Sequence, residues 1–202
     1  MIREKIEEID KERREQRKQR QINEYKVAIV GYTNSGKSTL LNRLTKAQVY
    51  AENQLFATLD TTSRRLWLSD ETRGMNVIIT DTVGFIREIP HLLIESFKST
   101  LEDTVQSDML VHILDASAPD YLDRKLVVEK TIEEIGAVEV PSLLCFNKID
   151  CLTEKELLDL RLAFPQALFI SASENLHIDI LKDSIKTSAF TKMKTFENTD
   201  QT

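Results

Sequence analysis

The sequence predicts an α/β fold: a doubly wound, mostly parallel sheet with one antiparallel strand, preceded by an amino-terminal helical arm. Three observations predict it. Short apolar runs alternate with amphipathic stretches along most of the chain, which is typical of βα units. A glycine-containing loop directly follows the first apolar run and leads into a helix-like stretch. Two neighbouring runs are joined by the short polar segment 70–74, which indicates a hairpin and hence one antiparallel strand.

Composition divides the chain into three segments. Residues 1–23 are densely charged and carry Ile2, Ile6 and Ile9 at helical spacing, so we predict a charged helical arm. Residues 24–190 have the normal size of a single doubly wound domain. Residues 191–202 are polar, and we predict a disordered tail there.

The individual elements follow from the spacing of their apolar residues. The helix at 90–105, for example, is predicted by Leu93, Phe97, Leu101 and Val105, which recur every fourth residue. The predicted strands are 26–30, 64–69, 75–80, 109–114, 141–146 and 167–171. The predicted helices are 37–45, 90–105, 122–136, 153–162 and 176–188, with a switch segment at 50–62.

The segment GYTNSGKS at 31–38 follows an apolar strand and opens a helix, which is the context of a phosphate-binding loop. Its glycines let backbone N–H groups turn inward around a polyphosphate. We expect Lys37 to reach the β- and γ-phosphate oxygens and the Ser38 hydroxyl to ligate Mg²⁺. The candidate phosphate-binding residues are Gly31, Tyr32, Thr33, Asn34, Ser35, Gly36, Lys37, Ser38 and Thr39.

A second motif, DTVG at 81–84, follows the strand-like run 76–80. An aspartate at a strand end can hold Mg²⁺ through water, so Asp81 is a candidate metal residue. The backbone N–H of Gly84 can approach the γ-phosphate and would then sense whether that phosphate is present.

The segment NKID at 147–150 follows the apolar run 143–146 and identifies the base. The Asp150 carboxylate can accept hydrogen bonds from the ring N–H and the exocyclic amine of guanine, a pair of donors that adenine lacks. We expect the Asn147 amide to brace the loop. We expect the Lys148 stem to lie across the purine with its charge toward solvent.

A final candidate loop, Ser171, Ala172 and Ser173, follows the predicted strand at 167–171. The small Ala172 suits a loop in which a backbone N–H approaches the carbonyl oxygen of guanine. The motif is short, and its position after a strand is what supports this interpretation.

Four segments together resemble the GTP-binding domain of the HflX family of bacterial-type translational GTPases. They are the phosphate loop, QLFATLD at 54–60, DTVGFIR at 81–87 and LLIESFKSTL at 92–101. The resemblance covers roughly residues 25 to 190 and implies that 24–190 is a phosphate-loop GTPase G domain. Thr61 stands where family members usually carry proline. The large amino-terminal domain typical of the family is absent from these residues.

The resemblance implies GTP hydrolysis with Lys37, Thr58 and Gly84 in the catalytic machinery. Phe56 and Thr58 join the nucleotide site, and Thr58 joins Ser38 and Asp81 as a Mg²⁺ ligand, with Thr61 and Thr62 as competing candidates. In related GTPases stimulated by potassium, the position of Asn34 coordinates K⁺; its alternative role is to brace the loop. Phe85 replaces the glutamine that orients water in many GTPases, so we expect slow hydrolysis without a partner.

The implied partners are GTP or GDP and the ribosome, through its large subunit or as a whole, in ribosome splitting or rescue. A GTPase of ribosome assembly or RNA modification is the alternative, as is a nucleotide-binding switch with negligible turnover.

Composition excludes several other classes of function. The chain has 27 basic and 33 acidic residues, so an overall basic, DNA-binding character is not expected. No apolar run is long enough to span a membrane, and we expect a cytoplasmic monomer. The two cysteines and three histidines lack the spacing of a protein-built metal site.

Overall fold

The computed structural model describes residues 24–45, 62–71, 73–82 and 103–199. Six strands lie in these ranges and form one sheet: β1 (Glu24–Gly31), β2 (Thr62–Ser69), β3 (Gly74–Asp81), β4 (Met109–Asp115), β5 (Ser142–Asn147) and β6 (Leu168–Phe169). The helices are α1 (Lys37–Thr45), α2 (Tyr121–Glu134), α3 (Glu154–Ala163) and α4 (Ile178–Thr199), with a 3-10 turn at Ile149–Cys151.

The strand order is β2-β3-β1-β4-β5-β6. Only the β2–β3 pair is antiparallel, and its register places Ser69 opposite Gly74 across the hairpin turn. The other four pairs are parallel. The predicted fold class is therefore confirmed for the described part of the chain.

The central strands β1 and β4 are mostly buried on both faces because their side chains alternate between two apolar layers, whereas the edge strand β2 exposes every second residue. On β1, Val27 and Ile29 join the cluster that packs against α1 and α4. Ala28 and Val30 point to the opposite face and pack against α2. Helix α3 lies on that same face against β4 and β5. This doubly wound arrangement aligns the carboxyl ends of the parallel strands at one edge, where α/β folds bind ligands.

Two expectations about the carboxyl-terminal region are wrong. Helix α4 continues to Thr199, so residues 191–199 are helical rather than disordered. Phe190 and Met193 are buried in the α1–α4 cluster, which extends the apolar stripe of the helix beyond residue 188. Strand β6 is only two residues long, shorter than the predicted 167–171.

Several predicted segments lie outside the described residues. These are the arm at 1–23, the switch segment at 50–61 and most of the helix at 90–105, of which residues 103–105 are described and helical. None of the described helices is both long and apolar enough to cross a membrane.

Candidate nucleotide-binding site

The candidate site lies at the carboxyl edge of the parallel strands. The loop after β1 carries the phosphate-binding motif, β3 ends at Asp81, β4 ends at Asp115 and β5 ends at Asn147. The segment Ser171–Ser173 follows β6 beside them. The sheet thus brings together motifs that are far apart in the sequence.

The phosphate loop has the backbone that its sequence predicts. Gly36 has a φ of 94° and Asn34 a φ of 61°, both in the left-handed region that lets a loop curl around a ligand. A Cβ on Gly31 would lie 2.5 Å from the carbonyl oxygen of Ile113 on β4, so this glycine permits a close backbone approach. Thr33 and Ser35 are buried within the loop, Asn34 is exposed, and Ser38 and Thr39 are half-buried.

The Lys37 side chain lies buried inside the curl of the loop. Its Nζ donates to the carbonyl oxygens of Gly31 at 3.2 Å and Tyr32 at 3.0 Å. Burial lowers the pKa of the Lys37 ammonium to about 8, and the negative charge of Asp81 opposes that shift. The two carbonyls carry no net charge, so a polyphosphate would stabilise this buried cation much better.

Ser38 and Asp81 meet where α1 begins and β3 ends. The Ser38 hydroxyl donates to Asp81 Oδ2 at 2.6 Å, and the Asp81 side chain is buried. The next residue, Thr82, anchors this strand end by donating its hydroxyl to the Ile29 carbonyl oxygen at 2.7 Å. A hydroxyl and a carboxylate at this spacing are hard oxygen donors of the kind that Mg²⁺ prefers. The donor set therefore fits the predicted magnesium site.

Asn147 contacts three other segments, two through its side-chain amide and one through its backbone carbonyl. Its Nδ2 donates to the Ser35 carbonyl oxygen at 2.9 Å, and its Oδ1 accepts from the Ala172 N–H at 2.9 Å. Its own backbone carbonyl oxygen accepts from the Ala116 N–H at 2.9 Å. The expectation that Asn147 braces the loop is confirmed, and the brace reaches the phosphate loop as well.

Lys148 differs from the expectation in one respect. Its Nζ lies 2.7 Å from Asp115 Oδ2, so its charge is paired within the protein instead of pointing to solvent. Its backbone is in the left-handed region, with a φ of 66°. The other Asp115 oxygen accepts hydrogen bonds from the Ser117 N–H and hydroxyl, at 3.0 and 2.6 Å. Asp115 is thus a site residue that the sequence analysis missed, although a carboxylate at the end of a buried strand was a usable signal.

The Asp150 carboxylate is exposed at the rim of the site. A hydrogen bond from Ser171 is the main cause that lowers the pKa of Asp150 below its usual value. The carboxylate is therefore charged at neutral pH and accepts hydrogen bonds only, which suits the paired donors of guanine.

The Ser171–Ser173 segment is held in place from both sides. The Ser171 and Ser173 hydroxyls lie 3.1 Å apart, and Ser171 Oγ accepts from the Glu174 N–H at 3.1 Å. From α1, Arg43 donates to the Ala172 and Ser173 carbonyl oxygens. Arg43 is a second residue that the sequence analysis missed. The last turn of a helix often carries a basic residue, so nothing in the sequence marked it.

Tyr32 packs against the apolar cluster on the α2 side of the sheet and also contacts a charged residue of that helix. The Arg124 guanidinium of α2 lies over its ring at 5.1 Å, a cation–π contact that fixes one wall of the phosphate loop. The sequence predicted Tyr32 as a loop residue but did not predict this partner.

Comparison with known proteins agrees with this geometry. A family model described as a 50S ribosome-binding GTPase matches residues 26–148. The protein named GTPase HflX from Caldanaerobacter subterraneus is 47% identical over 194 residues, which cover 94% of this chain. GTPase HflX from Escherichia coli is 45% identical over 156 residues, or 77% of this chain. The chain belongs to the HflX family of GTPases.

This HflX-family chain is shorter than its relatives. It spans 42% of the Caldanaerobacter protein and 36% of the Escherichia coli protein. A solved structure of a GTP-binding protein from Sulfolobus solfataricus in complex with GDP is 27% identical, with a TM-score of 0.63. That likeness covers 92% of this chain and 58% of the archaeal protein.

Three of the site residues predicted for this HflX-family chain lie outside the described residues. They are Phe56 and Thr58 of the first switch segment and Gly84 of the DTVG motif. The described residues bring together the remaining members of the phosphate, metal and guanine sets.

Proposed function

We propose that this chain binds GTP and GDP and hydrolyses GTP to GDP and phosphate. The observation that carries the proposal is the Asn147 brace. One buried amide ties the phosphate loop at Ser35 to the base-side loop at Ala172, at 2.9 Å each. A single ligand that carries both a guanine and a polyphosphate would occupy both loops at once.

The protein's part in this reaction is to supply position and charge. The inward-facing N–H groups of the phosphate loop and the Lys37 ammonium would bind the β- and γ-phosphate oxygens. Asp150 would accept from the guanine N–H groups. Lys148, held by Asp115, would cover the purine ring with its methylene stem.

Ser38 and Asp81 are the described residues that would hold the metal, and Thr58 would complete the set from the first switch. Mg²⁺ bound there would neutralise charge on the β- and γ-phosphate oxygens. The Ser38 hydroxyl can donate its hydrogen to Asp81 Oδ2 and still offer a lone pair to the metal. The exposed side chain of Asn34 would hold K⁺ beside the phosphates, and turnover would then depend on potassium.

Two segments would respond to the γ-phosphate. Thr58 would engage only while the triphosphate is bound, and the Gly84 N–H would contact the γ-phosphate directly. Phe85, next to Gly84, can neither accept a proton nor orient a water molecule. The chain would therefore hydrolyse GTP slowly on its own.

The partner we propose is the ribosome, through its large subunit, with the chain acting as a cytoplasmic monomeric switch in ribosome splitting or rescue. Support comes from the family model, whose description names 50S ribosome binding, and from the HflX relatives. The chain spans under half the length of those relatives, so ribosome binding has to be measured with these 202 residues themselves.

Two measurements test the proposal. Titration with GTP, GDP and ATP should give tight binding of both guanine nucleotides and weak binding of ATP; equal affinity for ATP would refute the base assignment. Co-sedimentation with purified large subunits, small subunits and 70S ribosomes should show GTP-dependent retention on large subunits. Retention on small subunits alone would favour a role in assembly instead.

A further inference from the structure

Arg43 makes a two-pronged contact that links α1 to the base-side loop. Its Nε donates to the Ala172 carbonyl oxygen at 2.8 Å, and its Nη2 donates to the Ser173 carbonyl oxygen at 2.6 Å. Two hydrogen bonds from one rigid, planar guanidinium fix both the position and the plane of the peptide unit between the two carbonyls.

The clamped peptide belongs to the loop that would face the guanine 6-carbonyl oxygen. Ala172 is buried, and its N–H is held by Asn147 Oδ1 at 2.9 Å. A displacement of this loop would therefore disturb the carbonyl edge of the base.

The clamp comes from the helix that begins in the phosphate loop. Helix α1 begins at Lys37 in the phosphate loop and has Arg43 in its last turn. A helix of nine residues is a rigid rod about 14 Å long. It therefore connects the phosphate end of the site to the base end without a flexible segment.

We infer that Arg43 is a positioning residue for guanine: by clamping the Ala172–Ser173 peptide to α1, it sets affinity for the base edge that carries the 6-carbonyl. This inference rests on the guanine binding proposed above. Arg43 touches no reacting atom and acts through the loop.

A purely structural role of Arg43 must be distinguished from this positioning role. A basic residue in the last turn of a helix stabilises that helix whatever it contacts, because it opposes the helix dipole and bonds terminal carbonyls. Loss of such a residue weakens the fold, and every nucleotide then binds less well by the same factor. A base-positioning residue weakens only ligands that use the positioned loop.

A cycle of two proteins and two ligands separates the roles. We would measure dissociation constants of GDP and of 2-aminopurine riboside diphosphate for the unmodified chain and for Arg43→Ala. The analogue keeps the purine and the 2-amino group but lacks the 6-carbonyl oxygen and the accompanying N1 proton. Arg65→Ala is the matched control, since Arg65 is exposed on β2 at the far edge of the sheet.

We expect Arg43→Ala to weaken GDP binding about 10-fold and analogue binding less than about 2-fold. Arg65→Ala should change neither. Arg43→Lys keeps the positive charge but lacks the planar fork of the guanidinium, so for GDP it should fall between the unmodified chain and Arg43→Ala. It also provides a folded test protein if the alanine variant unfolds.

Two outcomes would overturn the inference: equal weakening of both ligands, or no weakening of GDP. If the unmodified chain prefers GDP over the analogue but Arg43→Ala does not reduce that preference, the proposed function stands and only the role of Arg43 is refuted. An unmodified chain with no preference for GDP over the analogue would refute the guanine site itself.

Discussion

The backbone of Gly36 lies directly against the side-chain amide of Asn147: a Cβ atom placed on Gly36 would come within 2.2 Å of Asn147 Nδ2. The phosphate loop and the guanine loop therefore share one close contact. Gly36 also has a φ of 94°, which an L side chain rarely adopts. Both the conformation and the contact require glycine at this position.

Gly36→Ala tests the contact, and Gly136→Ala is its matched control. Gly136 has a similar φ of 77°, but a Cβ there would meet nothing within 4 Å. The control should cost about 1 kcal/mol of unfolding free energy from backbone strain alone. Gly36→Ala should cost about 1 to 3 kcal/mol more, because the Asn147 amide must move.

Denaturant unfolding without nucleotide measures both variants, and GDP titration measures the consequence for the site. Gly36→Ala should also lose GDP affinity, whereas Gly136→Ala should keep it. Equal unfolding free energies for the two variants would show that the loops are not packed as described.

Asp150→Asn should exchange guanine for xanthine selectivity. The amide would present a donor where guanine also presents one, and an unpaired polar group costs about 1 to 3 kcal/mol, or about 10- to 150-fold in affinity. Competition between GTP and xanthosine triphosphate measures the switch. Asp159→Asn on α3, which is also exposed, should leave the preference for GTP unchanged. A similar loss of GTP affinity in that control would mean a nonspecific charge effect.

Ser38→Ala should remove the benefit of magnesium and keep the fold. The Ser38 hydroxyl is the side-chain oxygen of the described residues that would ligate the metal directly, and it donates to Asp81 Oδ2 at 2.6 Å. In the unmodified chain, GTP affinity should be higher with Mg²⁺ than with EDTA, and the variant should narrow this difference. A variant that gains as much from Mg²⁺ as the unmodified chain would place the metal elsewhere.

His112 should make the fold sensitive to acid. It is buried on β4, and burial, followed by the positive charge of Lys125, lowers the pKa of its imidazole to about 3. Between about pH 6.5 and 3 the unfolded chain binds a proton here that the folded chain does not, so the stability is lost as pH falls. The loss approaches about 1.4 kcal/mol per pH unit well below pH 6.5.

The matched variant for this prediction is His112→Leu, which cannot titrate. Between pH 7.5 and pH 5, the unfolding free energy should fall more for the unmodified chain than for the variant. An equal fall for the two proteins would mean that His112 is not neutral in the fold.

The sequence predicts the loops of the site well because each follows directly from a strand with strong local turn chemistry. Glycines in the phosphate loop and the polar run after β5 signal their positions without reference to the rest of the chain. The bracing role of Asn147 could also be predicted, since a side-chain amide at that point has few other roles.

The contacts that the sequence did not predict connect distant segments. Lys148 pairs with Asp115 of β4, and Arg43 reaches Ala172 from another helix, so neither pair shares a local pattern. The end of α4 was missed because its composition is polar. Buried Phe190 and Met193, together with the ion pair of Lys192 and Asp108, hold that end of the helix against the sheet.

Single-turnover GTP hydrolysis tests the central claim most directly. It would be measured in K⁺ with and without purified large ribosomal subunits, and Lys37→Ala is the inactive control. Because Phe85 cannot orient water, we predict slow hydrolysis by the chain alone that disappears in Lys37→Ala. A missing group supplied in trans is worth about 10³- to 10⁵-fold in rate, so we predict strong acceleration by large subunits. Turnover of about one per second or faster by the chain alone, or a rate unchanged in Lys37→Ala, would contradict the account.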